Sequence, residues 1–162
     1  MNMANRVPMT REGYDKLKEE LHRLRTQERP KIVKEIEIAR AHGDISENAE
    51  FHAAKERQGQ IESRALQIED RLARAQIIDA NDSGPPPEEV RFGVTVVLLD
   101  SETDEEVTYT IVGEDESDAA NGRISITSPI ARALLGKCVD ATVTVRVPKG
   151  TREFEVREIR VE

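Results

Sequence analysis

Two apolar stripes at helical spacing flank the five residues His42-Gly43-Asp44-Ile45-Ser46, which are too few to do anything except reverse the chain. The first stripe runs through Leu17, Leu21 and Leu24 and resumes at Ile32, Ile36 and Ala39, in a stretch of helix formers from Thr10 to Ala41. The second, within Glu47 to Ile77, steps by four, three, four and three through Ile61, Ala65, Ile68, Leu72 and Ala75. Two narrow stripes joined by so short a reversal must cover each other, which predicts an antiparallel helical hairpin. At about 1.5 Å per residue, arms of roughly 32 residues make a rod of roughly 45 to 50 Å. Thr10 is placed to cap the first helix, and Pro30 predicts a bend there without a break. Ala39, Ala49, Ala53 and Ala54 replace larger side chains toward the turn, so the tip is narrow and has little apolar surface to bury.

The segment Asn81-Asp82-Ser83-Gly84-Pro85-Pro86-Pro87 cannot continue a helix, and beyond it the period changes from helical to two. Phe92 to Leu99, Glu106 to Val112, Arg123 to Thr127, Ala141 to Val147 and Glu153 to Val161 read as strands rich in Val, Ile and Thr. Pro129 to Leu135 reads as one short helix, with Ser128 as its cap and Gly136 as its stop. The expected fold class is therefore α+β. An N-terminal antiparallel coiled coil over 1–79, with an acidic tip at 43–50, is followed by a linker at 80–90 and a small antiparallel or mixed sheet domain over 91–162.

Charge limits what such a chain can bind unaided. It has 24 basic and 32 acidic residues among 162, and the excess of eight negative charges lies wholly after Ala80. Autonomous binding to nucleic acid through its phosphates is disfavoured. A single cysteine, Cys138, excludes an intrachain disulfide, and His22, His42 and His52 lack the spacing of a zinc site. Nothing reads as a signal peptide or a membrane span, so the expectation is a soluble cytoplasmic protein with no membrane partner.

No phosphate-binding glycine loop, HExxH, CxxC or nucleophile elbow is present. The remaining candidates are the tip carboxylates Asp44, Glu47 and Glu50, spaced by three. One reading is structural: Asp44 caps the second helix, Glu47 completes a capping box, and Glu50 gains from the positive helix end. The other is functional, because carboxylates on a narrow tip can be inserted into a partner's cleft. Two carboxylates cannot hold Mg²⁺ alone, so such a site would be composite, with Asp44 as the stronger metal candidate and Glu47 as a metal ligand or water-positioning group.

The run Ala39-Arg40-Ala41-His42-Gly43-Asp44-Ile45-Ser46-Glu47-Asn48-Ala49-Glu50-Phe51-His52-Ala53-Ala54-Lys55-Glu56 resembles the tip signature of the bacterial GreA/GreB transcript cleavage factors. Ser128 to Lys137 resembles that family's second domain, and so do Phe92-Gly93-Val94-Thr95-Val96 at the first strand. The resemblance covers nearly the whole chain. It implies a coiled coil that enters the secondary channel of bacterial RNA polymerase and an FKBP-like domain that docks at the channel rim. It also implies stimulated cleavage of the displaced 3′ end of nascent RNA in backtracked complexes. No cofactor would be held stably by the chain alone, and Mg²⁺ would be shared with the polymerase. Asp44 and Glu47 are the implied catalytic pair, Asn48 and Glu50 support the tip, and Lys55 faces RNA. Ser128, Pro129 and Ile130 are the implied docking residues, although physically Ser-Pro is an ordinary helix start and Ile130 a core position. The acidic chain is more similar to the GreA branch than to the more basic GreB branch, and a monomer is expected. The alternative is a non-catalytic channel-binding protein that regulates or inhibits polymerase; a stand-alone nuclease is the least favoured.

Overall fold

The computed structural model describes residues 6–44, 48–79 and 87–161, in two compact units. One comprises residues 14–75; in the other, the chain start up to Gly13 groups with the chain from Gln76 onward. Residues 6–13 and 76–79, assigned by sequence to the helical domain, thus belong with the sheet. Most of the expected linker lies outside the described residues, and its end, Val90, is a buried core residue.

The first helical arm is α1 (Arg11–Arg23), a π-helical turn (Leu24–Glu28) and α2 (Arg29–Arg40). Thr10 accepts from the Gly13 N–H as the cap the sequence suggested. Near Pro30 the structure places a widened turn, in which the Arg29 N–H reaches back to the Leu24 carbonyl. A regular α-helix would drive the proline ring into the carbonyl four residues back. The wider turn also absorbs one residue, which explains the step of eight from Leu24 to Ile32: both are buried.

The returning arm is α3 (Ala49–Ala73), shorter at both ends than its apolar pattern suggests. Its expected last turn is instead a short strand, β2 (Ala75–Ile77), paired with β1 (Val7–Met9). Ala54, Ala65 and Ile68 are buried on this arm, opposite the buried Leu and Ile residues of the other. Three cross-arm ion pairs run in descending order, Arg25 with Glu69, Arg29 with Glu62 at 2.6 Å and Glu35 with Arg57 at 2.7 Å, as expected of antiparallel arms. Arg64 also grips Glu20 with two nitrogens. Its donation holds the Glu20 carboxyl below the usual range, and the Arg29 hydrogen bond does the same to Glu62. All four pairs lie at the surface of the hairpin, exposed or half-buried, where solvent screening leaves an ion pair little net stabilisation.

The second unit has one mixed five-stranded sheet. Its strands are β3 (Thr95–Asp100), β4 (Glu106–Val112), β5 (Arg123–Ser125), β6 (Thr142–Val147) and β7 (Gly150–Arg160). Their spatial order is β5-β4-β3-β7-β6; only the β4–β5 pair is parallel. The alternation read from Thr142 to Val147 is real: Val143 and Val145 point into the core while Thr142, Thr144 and Arg146 are exposed. α4 (Pro129–Leu134) buries Ala131 and Leu134 against Val96, Leu98, Ile111 and Phe154. Ser128 caps it by accepting from the Ala131 N–H.

The acidic segments Ser101 to Glu106 and Glu114 to Asp118 have the composition of solvated turns, yet the second contains a buried carboxylate, Glu116, and the first adjoins one, Asp100. Glu116 accepts from the Thr10 and Gly113 N–H groups at 3.0 and 3.1 Å and from the Thr10 hydroxyl, and it lies 3.6 Å from Arg123. Asp100, at the end of β3, accepts from the Glu102 N–H and the Arg152 guanidinium. Those two donors, the backbone N–H foremost, hold the Asp100 carboxyl below its ordinary range.

Candidate functional site

The tip begins where α2 runs out of partners. Its last carbonyls have no intrahelical donor, the backbone turns at Ala41 and His42, and Gly43 takes a left-handed φ of +117° that suits a residue without a Cβ. Asp44 follows, exposed. Glu47 lies outside the described residues, so its expected place beside Asp44 is not described.

The structure corrects the capping assignment. The N-cap of α3 is Asn48, whose Oδ1 accepts from the Phe51 N–H at 3.0 Å, and the helix starts at Ala49. Asp44 stands four residues too early to be that cap. The missed signal was local: Asn is among the strongest capping residues, and it directly precedes the helix-forming Ala-Glu. Glu50 sits exposed in the first turn of α3, where a carboxylate is favoured by the helix dipole.

The same asparagine reaches across the hairpin. Its Nδ2 donates to the Ala39 carbonyl of α2 at 2.5 Å, while that carbonyl also receives the His42 N–H at 3.2 Å. A second link between the arms is the Arg40 guanidinium over the Phe51 ring, 5.8 Å from its centroid. Phe51 in turn packs on the buried cluster of Ile32, Ile36 and Ala54. Neither link was visible in the apolar spacing, which reports seams and not single polar contacts.

Asp44, Asn48 and Glu50 therefore share one end of the hairpin. Lys55 is exposed further along α3 and donates to Gln58 at 3.2 Å. Ser128, Pro129 and Ile130 belong to the sheet unit. There the Ser128 oxygen is engaged as a cap, Pro129 is exposed, and Ile130 packs partly on the core. All three histidines are exposed, and among the described residues no group of three or more His, Cys, Asp or Glu could hold a metal. Asp44 offers the hard oxygen donor that Mg²⁺ takes. No helix among the described residues is long and apolar enough to cross a membrane.

Comparison with known proteins places two family models end to end on this chain. "Transcription elongation factor, N-terminal" matches residues 7–77, and "Transcription elongation factor, GreA/GreB, C-term" matches residues 85–161. The chain is 51% identical over 160 residues to the transcription elongation factor GreA of Trichlorobacter lovleyi, covering 99% of this chain and all of that one. It is 54% identical over 155 residues to the GreA of Phenylobacterium zucineum, covering 95% and 97%. Among solved structures, GreA factor homolog 1 of Thermus thermophilus is 29% identical with a TM-score of 0.43, covering 96% and 99%.

Proposed function

The chain belongs to the GreA/GreB family of transcription elongation factors, and from that premise we propose that it completes the RNA-cleavage site of bacterial RNA polymerase. The hairpin enters the secondary channel of a backtracked complex in the cytoplasm, and the tip carboxylates reach the displaced 3′ end of the nascent RNA. The chain acts as a monomer and as an accessory factor, with no cleavage activity of its own.

The observation that carries this reading is the identity of the cap. Capping is the ordinary structural reason for acids at a helix start, and at α3 Asn48 performs it. Asp44 is exposed at the hairpin end, four residues before that cap. In the complex, Asp44 and Glu47 supply oxygens beside the scissile phosphodiester: Asp44 toward an ion retained jointly with the polymerase, Glu47 toward that ion or the attacking water. Mg²⁺ held there neutralises developing charge on the phosphate and acidifies bound water. Glu50 and Asn48 keep the helix start in place. Lys55 faces the RNA, and the surface at Ser128, Pro129 and Ile130 docks on the polymerase.

The test uses purified polymerase halted in a backtracked state with end-labelled RNA. Adding the chain should accelerate internal cleavage, and the chain with RNA but no polymerase should cut nothing. Binding without acceleration would favour the non-catalytic regulator, whose rod occupies the channel only. Cleavage without polymerase would reveal a nuclease.

A further inference from the structure

We infer that Asn48 is a positioning residue: its side-chain amide ties α2 to α3 where the tip segment leaves them, and the donor half of that tie sets how well the tip serves cleavage. The inference rests on the function proposed above, and concerns how the tip is held.

Both ends of the amide are committed. Oδ1 takes the Phe51 N–H, and Nδ2 gives its hydrogen to the Ala39 carbonyl on the opposite arm. Residues 39 and 48 lie on either side of the tip, and the hydrogen bond between them joins the two arms there. The apolar seam cannot do this job here. Its buried members beside the tip are Ala39 and Ala54, whose small side chains fix the spacing of two helices weakly. A polar tie between the end of α2 and the start of α3 has the directionality that alanine packing lacks, and the same side chain satisfies the Phe51 N–H in the first turn of α3. Asp44 lies between the tied points, so this hydrogen bond, with the Arg40–Phe51 contact beside it, sets the ends from which its segment departs.

Capping and tying are separable by substitution. Asn48→Asp keeps the shape and remains an excellent cap, but it has no hydrogen to give to Ala39. Asn48→Ser also caps, is uncharged, and is too short to reach across. If the tie positions the tip, both variants should keep their helix content and half-saturate the polymerase at the wild-type concentration. Cleavage should fall about tenfold, with recovery as Mg²⁺ is raised, as for lost outer-shell support of a metal site. A cap alone predicts wild-type cleavage and wild-type Mg²⁺ dependence in both, and that result would overturn the inference. Asp44→Ala in the same assay keeps the claims apart. Its loss of cleavage beside fully active Asn48 variants overturns the tie only, whereas wild-type cleavage by Asp44→Ala overturns the proposed function itself.

Discussion

Glu116 gathers the Thr10 hydroxyl and the Thr10 and Gly113 N–H groups on a single carboxylate that is 6% exposed. Two glycines make room for it: a Cβ on Gly13 would run into the Glu116 side chain, and one on Gly113 would lie 2.6 Å from the Pro8 carbonyl. Replacing Glu116 by Ala strands those donors, so unfolding in urea should show a loss of about 1 to 3 kcal/mol. The sequence could not announce this, because Thr10 lies 106 positions away and an acidic run looks like a solvated turn. Asp100 makes a second case. Its carboxyl is held below the ordinary range by the Glu102 N–H and then Arg152, so its contribution is present above about pH 4, the unfolded carboxyl range, and is lost as pH falls through its folded value. Thermal melts from pH 7 to 2.5 should show Asp100→Asn losing less stability on acidification than the parent. Equal acid sensitivity would remove Asp100 from the account.

Elements were legible to the extent that their own residues decide them. Apolar periods placed both arms of the hairpin, and Val-Thr alternation placed β6; the Ser128 cap and Gly136, with φ of +83°, bounded α4. The misreadings lie where a distant partner or a single polar group decides. Ala75 to Ile77 continues a helical pattern yet forms a strand because β1 is there to pair with it. The π-helical turn was half-visible in the step of eight from Leu24 to Ile32. Deleting Thr26 should close that turn into a regular helix and force Pro30 into its interior, at a cost of about 3 kcal/mol. Combining the deletion with Pro30→Ala should restore most of that stability, since the seam then steps by seven. Circular dichroism with urea titration measures both, and equal instability of the two variants would contradict the role given to Pro30. Of the cross-arm pairs little is expected: Glu62→Gln should lower the urea midpoint only slightly, and less still in high salt.

At the scale of the whole molecule, the division of charge matches a division of labour. The half that carries the tip is balanced, and the half that carries the sheet holds the entire negative excess. A chain so charged gains little from RNA directly, which is consistent with the proposal that a polymerase brings the RNA to it. The candidate site was read as a motif, while its local mechanics were not: one of two readings of the sequence put the cap at Asp44, and the structure gives it to Asn48. That exchange makes the decisive measurement cleaner, because removing the Asp44 carboxylate does not remove the helix cap. The measurement is the cleavage rate of end-labelled RNA in backtracked polymerase complexes with the Asp44→Ala, Glu47→Ala double variant, beside its binding to the same complexes. The account predicts that binding and helix content persist while cleavage falls to the polymerase's unaided rate; undiminished cleavage by the double variant would contradict it.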